Sequence, residues 1–205
     1  MTARLYLITP AAFDPAAFAE TLKAALDAAP VACVRLTMDG AEAAIRRAAD
    51  TLQPVCAAAD VALTITDHVR LVDAHGLDGV HLTDASPAAI RKARAALGDD
   101  RIVGAYGGAT RHRAMTAAEA GTDYVSLCPV SAGALGDGTE AGDDLFAWWA
   151  EMIETPSVAE GGLTLDAGRR LAPLADFLAP RRSVWDAPDG PAAAVRAYAA
   201  ILAAA

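Results

Sequence analysis

Asp67 and Asp84 close two successive short apolar runs, Ala62–Thr66 and Gly79–Leu82, and are the only acidic pair at adjacent run ends. Two carboxylates so placed could hold Mg²⁺ through oxygen ligands, with a diphosphate completing the shell. The plainer reading makes Asp67 a helix N-cap and Asp84 a loop carboxylate, and for Asp84 it is preferred. Further along, Gly161-Gly162 stands just before a helix that opens at Thr164. Two such glycines let backbone N–H groups approach a phosphate. Arg181 and Arg182 follow the next apolar run. Against this stands a turn made of two glycines beside two solvated arginines. A third set, Asp67, His81, Tyr106 and Glu160, offers acid–base groups suited to a lyase or isomerase but selects no substrate. Taken alone, His81 reads as a satisfied interior histidine. Arg35, Thr37 and Asp39 share one parity, hence one face of a strand, the interior one.

These residues need a scaffold that gathers run ends on one face. The apolar runs are Leu5–Thr9, Val31–Met38, Ala62–Thr66, Gly79–Leu82, Ile102–Tyr106, Tyr124–Leu127, Ser157–Ala159 and Asp176–Ala179. Continuous rather than alternating apolarity suits strands covered on both faces, as in a parallel sheet. Helical stretches separate the runs. Asp14-Pro15 and Ser86-Pro87 each pair an N-cap with a proline at the first helical position, and Gly190-Pro191 opens the last helix. The stretch Asp143–Glu154 carries Phe146, Trp148, Trp149 and Met152, an apolar stripe for packing. The rhythm predicts an α/β fold, a single (β/α)8 TIM barrel over residues 1–205. In that fold, chemistry sits at the C-terminal ends of the strands and phosphate is commonly held after strands seven and eight. The longest irregular segment, Ser131–Gly142, contains neither lysine nor arginine. It is either a lid or a disordered connection, and is expected to be mobile without ligand.

The chain has 205 residues, is 54% hydrophobic and carries a formal net charge of −9. That charge argues against nucleic acid as a partner, though a local pocket can still take a small anion. No apolar run is long enough to span a bilayer, and no signal peptide is read at the start. Cys33, Cys56 and Cys128 lack metal-ligand spacing and read as reduced thiols of a cytoplasmic protein. The expected partner is a small phosphorylated metabolite, with a homodimer as the oligomeric candidate and no membrane.

Asp78-Gly79 with Val80-His81-Leu82, Asp123-Tyr124-Val125, Gly161-Gly162-Leu163-Thr164, and Ala175-Asp176-Phe177-Leu178-Ala179 through Val184-Trp185 resemble thiamine phosphate synthases. The resemblance runs from Leu5 to about Ile201 without a large insertion, and its tail is most like the alphaproteobacterial branch. It implies a Mg²⁺-dependent transferase that joins a pyrimidine diphosphate to a thiazole phosphate and releases pyrophosphate. A cationic pyrimidine methylene would form as the leaving group departs. The family's Arg-x-Lys at the second strand end is here Thr37-Met38-Asp39, and its Asn-Asp at the third is Thr66-Asp67. The second metal carboxylate falls at Ser86, with Asp84 two residues earlier. The serine or threonine ending strand five is Tyr106, placed to fill space meant for substrate. The lid lysine is absent, Glu160 replaces an apolar residue, and Pro180-Arg181-Arg182 replaces Val-Ser. Sister tautomerases carry a histidine where Cys128-Pro129 stands.

Loss of one transition-state donor costs about 10²–10³ in rate. The first expectation is therefore a family barrel with strongly reduced synthase activity and a residual phosphate site at Gly161, Gly162, Arg181 and Arg182. Glu160 is expected to oppose an anion there. The alternatives are a working synthase, with Asp67 and Asp84 on Mg²⁺ and Arg35 or Arg181 supplying cations, and a non-catalytic ligand-binding barrel.

Overall fold

A computed structural model describes residues 3–131 and 139–205. Among them, eight strands alternate with helices: β1 (Arg4–Ile8), α1 (Pro15–Leu26), β2 (Cys33–Leu36), α2 (Glu42–Ala58), β3 (Ala62–Thr66), α3 (Val69–Ala74), β4 (Gly79–Leu82), α4 (Pro87–Leu97), β5 (Ile102–Gly108), α5 (Arg111–Glu119), β6 (Tyr124–Leu127), α6 (Asp143–Met152), β7 (Ser157–Glu160), α7 (Leu165–Leu171), β8 (Phe177–Ala179), α8 (Arg182–Trp185) and α9 (Pro191–Ala204). Each strand pairs in parallel with its sequence neighbour, and β8 closes on β1 through Arg4↔Phe177 and Leu5↔Leu178. The (β/α)8 barrel is thus formed. Much of the Ser131–Gly142 segment, at 132–138, lies outside the described residues. No helix among the described residues is long and apolar enough to cross a membrane.

Local signals set the helix starts. Asp14 accepts from Ala17 N at 2.9 Å, Ser86 from Ala89 N at 3.3 Å and Thr164 from Ala167 N at 3.2 Å. Each satisfies a donor that the first turn leaves unpaired. The α6 stripe differs from its expected membership. Leu145, Phe146 and Trp149 are buried, whereas Met152, on the same face but at the last residue of the helix, is 60% exposed.

At the opposite end of the barrel from the strand tips, three aspartates tie strands in pairs. Asp78 accepts the N–H of Leu63 at 2.7 Å, Asp123 that of Val103 at 2.7 Å, and Asp176 that of Ser157 at 2.8 Å. Each precedes an even-numbered strand and clamps the strand before it. The acidic residues of the quoted motifs are therefore scaffold, remote from the mouth.

The apolar core divides in two. One part fills the shell between strands and helices. The other comprises Tyr6, Ile8, Cys33, Tyr124, Val158 and Ala179, and fills the barrel lumen. The Tyr6 ring meets Tyr124 edge-on at 5.7 Å and Phe177 at 6.3 Å, so aromatic rings plug the lumen floor.

Candidate active site

A cavity of about 1110 Å³ opens at the C-terminal ends of the strands. Its lining includes Arg35, Thr37, His81, Tyr106, Arg113, Glu160, Gly161, Gly162, Arg181 and Arg182. The strand parity that places Arg35 and Thr37 toward the lumen holds. Asp39 lies beyond the end of β2, is exposed, and lines a separate cavity of about 160 Å³ with Thr66, Asp67 and His68. Parity still holds at Thr37, one residue past the end of β2, and is lost by Asp39.

The lumen side of the cavity is an ion pair. Arg35 Nη1 stands 2.8 Å from Glu160 Oε2, with side chains 7% and 4% exposed. Burial alone would lower the Arg35 pKa, but the Glu160 carboxylate overrides it and holds the pKa above the usual guanidinium value. Glu160 thus faces inward and spends its charge on Arg35, which corrects the expectation that it opposes an anion at the adjacent glycines. Both residues have interior parity, and a buried carboxylate needs a partner. That was the signal for the pair.

Below the pair runs a chain of hydroxyls. Tyr6 Oη lies 3.2 Å from Thr64 Oγ1 and 2.8 Å from Tyr124 Oη, and Tyr124 Oη lies 2.9 Å from His81 Nδ1. Burial pushes both tyrosine pKa values up and holds the Cys33 thiol at about 11. His81 is a satisfied interior histidine on its Nδ1 side, as expected. Burial first, and then the Arg35 charge, keep its pKa well below the ordinary 6.5. Unfolding therefore takes up a proton at mildly acidic pH. The stability that follows is fully present above about pH 6.5 and declines below it, by up to about 1.4 kcal/mol per pH unit. Urea midpoints should fall between pH 7 and pH 5, with a slope shallower by that amount in His81→Gln. Equal slopes would assign the acid sensitivity to other groups.

Near the mouth, Gly161 and Gly162 adopt φ of +83° and +77°, a conformation open to glycine. Ser183 Oγ donates to Leu163 O at 2.7 Å and meets Tyr198 Oη at 2.8 Å, which docks α8 against the loop after β7. Arg181 Nε donates to Thr9 O at 2.9 Å, and its Nη2 is buried without an acceptor. Arg182 sits on the rim, 91% exposed, with Nε 3.1 Å from Asp186. The four predicted phosphate residues all line one cavity, with Arg182 at its outer edge. Arg113, which sequence reasoning missed, also lines it. Its guanidinium lies 4.7 Å above the Tyr106 ring. Tyr106 itself lines the cavity wall.

The two carboxylates of the expected metal pair each accept hydrogen bonds from neighbouring turns. Asp67 has φ of +61°, and its two carboxylate oxygens accept from Thr83 N at 2.8 Å and Thr83 Oγ1 at 2.6 Å. Asp84 accepts from Ser86 N at 3.0 Å and lines neither cavity. Among the described residues, no three metal-capable side chains come together. Each oxygen of Asp67 accepts a single bond and keeps lone pairs, and Mg²⁺ is commonly held by one or two carboxylates with substrate phosphates completing the shell, so Asp67 fits such a role.

The model of the family described as thiamine monophosphate synthase matches residues 5–179. A thiamine-phosphate synthase of Rhodospirillum centenum is 47% identical over 195 residues, covering 94% of each chain. One of Hyphomonas neptunium is 40% identical over 209 residues, covering 97% of this chain and 93% of its own. Among solved structures, a thiamine phosphate pyrophosphorylase of Pyrococcus furiosus superposes with a TM-score of 0.84 at 22% identity, covering 99% and 96% of the two chains. An orotidine 5'-phosphate decarboxylase of Pyrococcus horikoshii follows the same fold, with a TM-score of 0.70 at 11% identity and 97% and 99% coverage.

Proposed function

The chain belongs to the thiamine monophosphate synthase family, and from that premise we propose that it binds a small phosphorylated metabolite in its mouth but has lost most of the synthase turnover. The family reaction belongs to thiamine biosynthesis. The observation that carries the loss is the end of β2. There, where the resemblance calls for Arg-x-Lys on the leaving diphosphate, Thr37 Oγ1 is tied to Thr66 Oγ1 at 2.7 Å and Asp39 is an exposed acid. A departing diphosphate needs positive charge at the moment the bond breaks, and preorganised charge is the largest lever on such a step. Arg35, one substitute within the cavity, is committed to Glu160.

The phosphate end rests on Gly161, Gly162, Arg181 and Arg182. The left-handed glycines let N–H groups converge, and the arginines close the other side. No step of this reading passes through a metal. The family implies Mg²⁺ carried with the diphosphate, and Asp67 is the carboxylate of the family pattern that persists here.

A second reading, a working synthase, is favoured by the 47% identity to a curated synthase across 94% of the chain. Arg113 and Arg181 would then supply the leaving-group charge. The discriminating measurement is thiamine phosphate formation from both substrates with excess Mg²⁺. Turnover far below about 1 s⁻¹ is expected. Turnover at or above that rate would replace the first reading with the second.

A further inference from the structure

The carbonyl of Leu163, just past the paired glycines, faces two hydroxyls from different helices. Ser183 Oγ on α8 lies 2.7 Å from it, and Tyr198 Oη on α9 lies 3.1 Å from it. The two hydroxyls are themselves 2.8 Å apart. Two protons serve three contacts, so the carbonyl accepts from at least one hydroxyl in every arrangement that uses both. Tyr198 is fully buried, and a Cβ on Gly168 would stand 3.2 Å from its Cε1, so its ring is wedged against α7. A buried phenol held in this way delivers its hydroxyl to one place.

A second carbonyl is held at the start of the same turn. Gly161 O accepts from Val130 N at 3.0 Å and from Ser131 N at 3.1 Å, both in the loop after β6. In a trans peptide the N–H points opposite to the C=O. Holding Gly161 O therefore directs the Gly162 N–H, and holding Leu163 O directs the Thr164 N–H. Gly162 lies between the two pins with φ of +77°, where glycine is free to rotate unless both ends are fixed. The helix that carries Ser183 is itself anchored. Arg181 Nε donates to Thr9 O at 2.9 Å, and Trp185 Nε1 donates to Ile8 O at 2.5 Å. The two hydroxyls thus bridge the turn after β7, with its glycines, to the turn after β8, with its arginines.

We infer that Ser183 and Tyr198 are positioning residues, which through Leu163 O set the direction of the amides in the glycine turn and hold that turn at a fixed distance from Arg181 and Arg182. The inference rests on the proposed function only for the statement that the turn takes an anion. Ser183 lines the cavity but spends its hydroxyl on backbone, and Tyr198 acts from outside the cavity lining. The two hydroxyls back each other up, since the loss of either leaves the other on the carbonyl. Losing both therefore costs more than the sum of the single losses.

The test pairs calorimetry with inorganic phosphate and NMR residual dipolar couplings, which read N–H direction without any ligand. Tyr198→Phe and Ser183→Ala should each bind phosphate within about threefold of the unmodified chain, and the double variant about tenfold or more weakly. Ser183→Thr in the Tyr198→Phe background keeps one hydroxyl and should bind like the single variants. In the ligand-free double variant the couplings of Gly162 and Thr164 should change while those of the strand amides stay. Phosphate binding by the double variant equal to that of the unmodified chain overturns the inference, and so does weaker binding with couplings altered throughout the barrel. If the unmodified chain binds no phosphate, the phosphate reading falls and the couplings alone decide. Changes confined to the turn then sustain the positioning role, and unchanged couplings overturn it in either case. Should the double variant fail to fold, Ser183→Cys with Tyr198→Phe, which keeps the volume and a weak donor, takes its place with the same outcomes.

Discussion

Replacing Glu160 by alanine is expected to destabilise the fold by about 3–5 kcal/mol, because it strands the Arg35 charge in a closed lumen. The two side chains are 7% and 4% exposed, and their charged atoms are 2.8 Å apart. Without the carboxylate, the guanidinium keeps the Tyr6 face at 5.9 Å and little else to offset its desolvation. Against the 5–15 kcal/mol typical of a whole domain, that is a large share. The pair itself contributes far less than its rupture costs. Changing both partners together, Arg35→Met with Glu160→Leu, should leave stability within about 2 kcal/mol of the parent or raise it. Urea unfolding of the three proteins settles the point. A cost below about 1 kcal/mol for Glu160→Ala would mean that water in the cavity screens the pair as it screens a surface one.

The second large effect concerns Gly104. A Cβ at this position would lie 2.0 Å from Tyr124 Cζ and 2.3 and 2.5 Å from two further ring atoms. The ring cannot swing away cheaply. Its hydroxyl joins Tyr6 and His81, and its edge packs on the Tyr6 ring. Overpacking costs about 1–3 kcal/mol, and each buried hydrogen bond lost adds about 1 kcal/mol or more. Gly104→Ala should therefore cost about 3 kcal/mol or more. In a Tyr124→Val background the same alanine should cost less than about 1 kcal/mol, since the obstacle is gone. Equal costs in the two backgrounds would show that backbone conformation, not the tyrosine, demands glycine there.

The barrel was readable in the sequence because its strands are short, largely apolar runs and α1, α4 and α7 open on side-chain caps. Asp14, Ser86 and Thr164 cap as their sequence neighbours suggest. The site was readable only in part. Gly161, Gly162, Arg181 and Arg182 meet at one cavity because adjacent strand ends in a closed barrel have nowhere else to go. The pairing of Arg35 with Glu160 was missed, since it joins β2 to β7 across the lumen. Local spacing carries no trace of such a contact, although interior parity and the cost of an unpaired buried charge together do. Arg113 was missed because it lies inside a helix, where an arginine reads as solvated. Asp67 and Asp84 read as ligands from their placement alone. Whether a carboxylate is free or already engaged depends on turn geometry, and Thr83 engages both oxygens of Asp67.

The aromatic plug of Tyr6, Tyr124 and Phe177 turns the barrel into a cup with one opening. Whatever enters the cavity and whatever leaves it therefore share one path, through the mouth lined by Gly161, Gly162, Arg181 and Arg182.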